Sequence, residues 1–274
     1  MRSLGEVMVV VGLEGALLDQ NGRMPRANAE VIRLFCSRGG RFTVASNRTP
    51  VYVQQVLRDI PVTEPVICCG GATIYDVNAK EYMAQRMLNT KAAAVMLDTI
   101  LMAFPNMGVI IQRQDGTLCV ARANAYTYEY MQRERAAYVV TQVCDIPEPW
   151  IRVILLDKSN QLDRLEQYAE RHNTSDELSF SRASENAFHI LGNHVSKGFA
   201  LRELAEICEI QQSDIYSIGG EHGDQSLLQM TGHSVAMPSA PVRVKLAAEL
   251  VTRLETAEGG TAEFLYQLIK EYEK

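Results

Sequence analysis

"VVVGLEGALLDQNGRMP", Val9 to Pro25, reads as a buried strand that runs into a loop and then a turn. Its apolar residues are continuous rather than alternating, the pattern of a strand covered on both faces of a parallel sheet. Loops at the carboxyl ends of such strands are where ligands sit, and they often hold catalytic carboxylates. Here the first loop residue is Gly12, which has no side chain.

Outward from this stretch, strand-like and helical segments alternate. "RANAEVIRLFCSRGG" has helical periodicity, "RFTVASN" reads as a strand, "TPVYVQQVLRDI" as a helix and "PVICCGG" as a short apolar strand. "ATIYDVNAKEYMAQRML" then predicts a hairpin turning at Asn78. Such alternation argues for an α/β fold with a Rossmann-like parallel sheet flanked by helices. From about Glu81 to Ala187 the texture changes to an α+β mixture: helices over "NTKAAAVMLDTILMAF" and "SNQLDRLEQYAERH", strands over "MGVIIQRQ", "TLCVARAN" and "WIRVILLD", and an amphipathic stretch from Tyr126 to Tyr138. After "AFHIL" the first texture returns, with helices over "VSKGFALRELAEICEI", "QSLLQMTG", "APVRVKLAAELVT" and "EFLYQLIKEYEK", strands over "DIYSIGG" and "SVAMPSA", and a linker-like "LETAEGGTAE". The expected organisation is a core of residues 1–80 and 190–274, with residues 81–189 inserted as a second α+β domain.

Composition narrows the function. The 274 residues are 47% hydrophobic, enough to bury a substantial core. Acidic residues outnumber basic ones 33 to 27, for a net charge of −6, and no Lys/Arg block offers a footprint for nucleic acid or an anionic membrane. The apolar run near the N-terminus is only about five residues long, too short for a signal core or a membrane span, so a cytoplasmic protein is expected. The six cysteines, Cys36, Cys68, Cys69, Cys119, Cys144 and Cys208, lack ligand spacing and read as small buried hydrophobes.

Four segments fall at strand-to-loop transitions: "VGLEGALLD", "VASNR", "VSKG" and "IGGEHGD". With "CCGGATIYD", "HVSKGFALRELAE" and "LLQMTGHSVAMPSAPVRVKLAAELVT", their order and content resemble the haloacid dehalogenase-like (HAD) phosphatases, in particular the Cof-type sugar phosphatases with a type IIB cap. The resemblance covers nearly the whole chain and implies a Rossmann-like core with the inserted domain as cap. It also implies an aspartate nucleophile at the tip of the first strand, an aspartate acid/base two residues on, a Ser or Thr and a Lys that hold the phosphoryl group, and acidic residues of the fourth loop that complete a Mg²⁺ site. On this chain the nucleophile position is Gly12 and the acid/base position Glu14, while Ser46, with Asn47, and Lys197 match the phosphate-binding positions. In "GGEHGD" the first metal carboxylate is replaced by Gly220 and only Asp224 remains; Gly70 stands where the family places an asparagine.

These departures have chemical consequences. Covalent phosphoryl transfer needs an in-line nucleophile, which glycine cannot provide. The extra methylene of Glu14 displaces its carboxylate by more than ~1 Å, an offset able to cost ~10²-fold in rate. Asp19, past an apolar turn, is poorly placed as a substitute. Glu14 and Asp224 are left as a weak Mg²⁺ pair. Fewer carboxylates also mean less repulsion of a phosphate dianion, since two unit charges 4 Å apart interact by ~4 kcal/mol at an effective dielectric of ~20.

Each retained residue has a second reading. Lys197 either grips a phosphate or pairs with Asp224 or Glu14 in place of the metal. Ser46 and Asn47 either bind phosphate or serve as turn and capping residues for the helix that follows. Arg48 reads as a solvated or paired charge, His222 as an exposed loop histidine, and Arg113, Arg122 and Arg152 as anion contacts or surface charges. The glycines of the first and fourth loops either make tight turns or present N–H groups to an anion. The expectation is a HAD-fold pseudophosphatase that binds a small phosphorylated molecule, inorganic phosphate or a protein partner. The alternatives are an altered Mg²⁺-dependent phosphohydrolase, with Glu14 or His222 orienting water, and a structural module whose cleft is filled by its own side chains.

Overall fold

In the computed structural model, which describes residues 3–134, 136–173 and 176–273, the five buried residues Met8–Gly12 form β1 in the interior of an eight-stranded sheet. The chain then runs through α1 (Arg26–Ser37), β2 (Arg41–Ala45), α2 (Pro50–Val56), β3 (Val66–Cys68), β4 (Thr73–Asp76) and β5 (Glu81–Gln85). Next come α3 (Thr90–Ala103), β6 (Gly108–Arg113), β7 (Leu118–Arg122), α4 (Ala125–Glu134), β8 (Tyr138–Val140), β9 (Trp150–Leu156), α5 (Ser159–His172), β10 (Leu178–Ser184) and β11 (Ala187–Gly192). The last elements are α6 (Lys197–Ile207), β12 (Ile215–Gly219), α7 (Gln225–Gln229), β13 (His233–Ala236), α8 (Val242–Ala247), β14 (Leu250–Val251) and α9 (Gly260–Tyr272).

Two compact units divide the chain, Met1–Met83 with Lys197–Lys274, and Ala84–Ser196. In the first, the strand order is β14-β13-β12-β1-β2-β3-β4-β5. The strands from β14 to β3 are parallel, while β4 returns antiparallel to β3. From β1 the chain winds outward through β2 and β3 on one side, and through β12, β13 and β14 on the other. The point where the winding direction reverses therefore lies between β1 and β12, the crevice in which α/β sheets bind ligands. Helices flank this sheet as the alternation of strand and helix patterns requires, with α1 packed against α9 and α7 against β12.

The second unit is a six-stranded sheet in the order β10-β11-β9-β6-β7-β8. One apolar cluster joins α3 and α5 to it through Leu97, Ile100, Leu162 and Leu165, packed with Val109, Val153 and Phe188. A smaller cluster gathers Tyr130 and Met131 of α4 with Ile110, Val120 and Ile154.

Several elements differ from the sequence reading. Strand β11 hydrogen-bonds to β9 and β10, so it belongs wholly to the second unit, and the chain re-enters the first at Lys197 rather than near residue 190. Strand β10 escapes the sequence because Leu178–Ser184 is Ser-rich and carries no apolar run. Within the 126–138 stretch, helix α4 ends at Glu134 and Tyr138 opens the edge strand β8, while residue 135 lies outside the described residues; the "APVRVKLAAELVT" helix stops at Ala247 before the two-residue strand β14.

The supposed linker "LETAEGGTAE" turns at Gly259, at φ +95°, into α9. It then braces the loop after β1: Thr256 Oγ1 donates to the Gly15 carbonyl, and the buried Thr261 Oγ1 donates to the Ala16 carbonyl at 2.7 Å. Among the described residues no helix is long and apolar enough to cross a membrane.

Thr261→Val keeps the shape of the brace but leaves the Ala16 carbonyl without that donor. It is expected to cost about 1–3 kcal/mol, read in urea titration as a lower midpoint at unchanged slope.

Candidate functional site

The carboxyl ends of β1, β2 and β12 and the start of α6 bring Gly12, Glu14, Ser46, Lys197 and Asp224 into one cluster. Its centre is a buried ion pair: Lys197 Nζ donates to Asp224 Oδ1 at 2.7 Å, with the two side chains 2% and 0% exposed. The other carboxylate oxygen, Asp224 Oδ2, accepts backbone N–H bonds from Gly220 and Glu221, each at 2.9 Å. Burial pulls the Lys197 ammonium toward its neutral form, but the Asp224 carboxylate, with Glu14 and Glu221, outweighs this and holds its pKa above the ordinary value.

The glycines explain how Asp224 reaches this place. A Cβ on Gly12 would lie 2.5 Å from Asp224 Oδ2 and 2.9 Å from its Cγ, so the carboxylate occupies the space a side chain at the tip of β1 would need. A Cβ on Gly220 would meet the Gly15 carbonyl carbon and oxygen at 2.3 Å. The first and fourth loops thus touch backbone to backbone, helped by Gly15 at φ +78°, a conformation that glycine adopts without a steric penalty.

A second branch of the cluster runs to β2. Ser46 Oγ donates to Glu14 Oε1 at 2.8 Å and accepts the Arg48 N–H at 3.0 Å, while Arg48 Nε lies 3.5 Å from the same Glu14 oxygen. Arg48 is therefore a paired charge, and its guanidinium also stands 5.4 Å from the centre of the Tyr52 ring. Asn47 is buried in the same loop. The cap of α2 is neither Ser46 nor Asn47 but Thr49, whose hydroxyl accepts the Tyr52 N–H. Asp19 is occupied locally, its Oδ1 accepting the N–H groups of Asn21 and Arg23.

Other expected residues lie elsewhere or differ in exposure. Arg152 is fully buried in the second unit's sheet, donating from Nε to Gln112 Oε1 at 2.7 Å, and is not a surface charge: its register partner on β6 is Gln112 itself. Arg113 pairs with Asp115 at 3.1 Å, and Arg122 donates to the Pro105 carbonyl. His222 is half-buried rather than exposed, because it stands in the helical turn that leads to Asp224.

Glu221 is the site residue that sequence reasoning passed over. Burial, together with the carboxylates of Asp224 and Glu14, pushes its pKa up to about 7, against the opposing pull of the Lys197 ammonium and the His222 N–H. Nothing in "GGEHGD" distinguishes it from an ordinary loop glutamate; only the packed loops do.

The donors present do not fit Mg²⁺. That ion requires near-octahedral oxygen ligation by carboxylates and water. Both Asp224 oxygens already accept N–H bonds, an ammonium stands against one of them, and Gly15 backbone fills the space beside Gly220. Among the described residues, Glu14 Oε2 is a buried oxygen of the cluster with no hydrogen-bond partner. Among the described residues no group of three or more His, Cys, Asp and Glu is arranged to hold a metal ion.

Two outcomes follow from this geometry. Lys197→Met strands the Asp224 charge in the interior and is expected to cost about 3–5 kcal/mol, whereas Lys197→Met combined with Asp224→Leu recovers a large part of that loss; chemical denaturation of the three proteins measures both. For Glu221 the folded-state pKa lies above the unfolded one. The stability it contributes is therefore complete below pH ~4.5 and is lost as pH rises through about 7. Glu221→Gln should abolish that loss and be more stable than the parent at pH 8, on the order of 2 kcal/mol, by thermal melts across pH.

The whole chain has known counterparts. The sequence profile described as haloacid dehalogenase-like hydrolase matches residues 9–265. The 5-amino-6-(5-phospho-D-ribitylamino)uracil phosphatase YwtE of Bacillus subtilis is 25% identical over 95% of this chain and 97% of its own. Among solved structures, SMU.1108c of Streptococcus mutans superposes with a TM-score of 0.84 at 17% identity, covering 96% of this chain and 98% of that one. The HAD subclass IIB sugar phosphatase BT4131 superposes with a TM-score of 0.81 at 15% identity, covering 96% and 98%. The chain belongs to the haloacid dehalogenase-like hydrolases, in their Cof-type branch.

Proposed function

We propose that this protein is a HAD-fold pseudophosphatase: it keeps the phosphatase scaffold, cannot form an aspartyl-phosphate, and acts by recognition. The observation that carries the proposal is the position of Asp224, whose carboxylate fills the space of the missing side chain at Gly12. Two of the groups that would hold a phosphoryl group are also engaged internally, Lys197 by Asp224 and Ser46 by Glu14. The residues of the site therefore support one another and bind the loops into a single arrangement, as in the reading of a module filled by its own side chains. The ligand class this reading favours is a small phosphorylated molecule, the kind of compound named in the YwtE relative, with a protein partner as the other route to recognition.

One observation favours a second reading, an altered phosphohydrolase. Glu221, poised near pH 7 beside the unpaired Glu14 Oε2, has the pKa of a general base able to activate water for direct attack.

Phosphate release from a broad panel of phosphomonoesters with Mg²⁺ separates the two. The pseudophosphatase reading expects no release above background from the parent protein. It expects none from Gly12→Asp either, because that side chain would collide with Asp224. Gly12→Asp should instead lower stability by at least about 1–3 kcal/mol, the typical cost of overpacking. Mg²⁺-dependent release that disappears in Glu221→Gln would overturn this reading in favour of the second.

A further inference from the structure

The second unit holds a cavity that shares no residue with the Lys197–Asp224 cluster. It lies between α5 and β10, is bordered by the loop after β11, and has a volume of about 540 Å³, within the ~300–1,000 Å³ range of small-molecule sites. Its apolar floor follows from the β10–β11 hairpin. Side chains two apart on a strand share a face, so Leu178 and Phe180 of β10 both join the apolar cluster that holds Phe188 of β11. The rings of Phe180 and Phe188 stack, with centroids 6.1 Å apart and an interplanar angle of 25°.

The polar lining is acidic. Glu166 and Glu170 stand four residues apart on α5 and so share one helix face, where like charges repel. Glu170 is also in the last turn, a carboxylate at the negative pole of its own helix. Asn173 caps that end: its Nδ2 donates to the Leu178 carbonyl at 3.5 Å, while its Oδ1 is buried and has no hydrogen-bond partner among the described residues. None of the described residues lining the cavity is Lys or Arg; Arg171 and His172 of the same turn are not part of it. The lining therefore combines acidic acceptors with a phenyl floor and carries no fixed cation.

This combination selects the ligand. An anion, phosphate included, would meet two carboxylates. A neutral apolar molecule would leave the Asn173 oxygen buried without a donor. A hard metal ion gains nothing from phenyl rings, which offer it no oxygen. A primary ammonium brings both the charge and three N–H donors, and an apolar body attached to it covers the rings.

We propose that this cavity binds a primary amine with a compact apolar body, its ammonium held by Glu166, Glu170 and Asn173 Oδ1 and its body resting on Phe180 and Phe188. The site stands apart from the pseudophosphatase reading, because none of its residues belongs to the Lys197–Asp224 cluster.

Calorimetric titration of the full chain with 2-phenylethylamine near pH ~8, where an alkylamine is charged, tests this. Two probes of similar shape serve as controls: 3-phenylpropionate reverses the charge, and the N,N,N-trimethyl derivative of the amine keeps the charge without N–H donors. The amine should bind saturably, with a dissociation constant on the order of 1 mM for so small a probe. The propionate should not bind, and the trimethyl derivative should bind roughly three- to tenfold more weakly. Glu170→Lys, at an exposed position, sets a like charge beside the ammonium and should weaken binding at least about tenfold. Glu166→Gln, which keeps the shape of the side chain, should weaken it about threefold or more, and thermal melts of both variants establish that they fold. Amine uptake that does not saturate up to about 20 mM overturns the proposal. So does propionate binding equal to that of the amine, or amine binding that neither substitution changes.

Discussion

The ion pair between Lys197 and Asp224 is the interaction on which the first unit's loops depend. A buried pair of this kind is not stabilising by its charge alone, because removing two ions from water costs several kcal/mol each. It is sustained by the further bonds around it: Asp224 accepts from Lys197 and from two backbone N–H groups, so its charge is surrounded by donors. Through that one carboxylate the start of α6, the loop after β12 and the tip of β1 share a single geometry. The Glu14, Ser46 and Arg48 branch extends it to the loop after β2.

The glycines and the ion pair are two halves of one arrangement. With Asp224 in place, a side chain at Gly12 has no room; with Gly15 backbone against Gly220, neither has one there. Substitutions at these positions are therefore coupled, since residues in direct contact do not contribute additively. On the proposed reading, returning a carboxylate to position 12 alone is not expected to rebuild a phosphoryl-transfer site, because the space must first be vacated by a group that is holding three other bonds. This steric coupling, more than the absence of one side chain, is the physical argument behind the proposed pseudophosphatase reading.

Much of this was legible in the sequence. The continuous apolar run before Gly12, the alternation of strands and helices, and the order of the four loop segments were sufficient for the fold. Ser46, Lys197 and Asp224 could be nominated because the loop segments that hold them resemble those of the HAD phosphatases, and the pairing of Lys197 with Asp224 was one of two readings for that lysine. Other features depend on contacts that no local pattern encodes. Glu221 acquires its shifted pKa only from two loops closing on it. Thr256 and Thr261 lie in a stretch whose composition reads as linker, yet their hydroxyls reach carbonyls near the start of the chain. Arg152 looks like any strand-borne arginine until the sheet places Gln112 opposite it. Strands β8, β10 and β14 are too short or too polar to announce themselves by periodicity.

The central claim is that Asp224 occupies the nucleophile space and holds Lys197 there. A crystal structure of the protein grown with Mg²⁺ and inorganic phosphate tests it most directly. The account expects Lys197 Nζ on Asp224 at about hydrogen-bond length, both Gly220 and Glu221 N–H groups on the other oxygen, and no metal between Glu14 and Asp224. Asp224 turned away from Gly12 onto a bound Mg²⁺, with phosphate on Lys197 and Ser46, would contradict it.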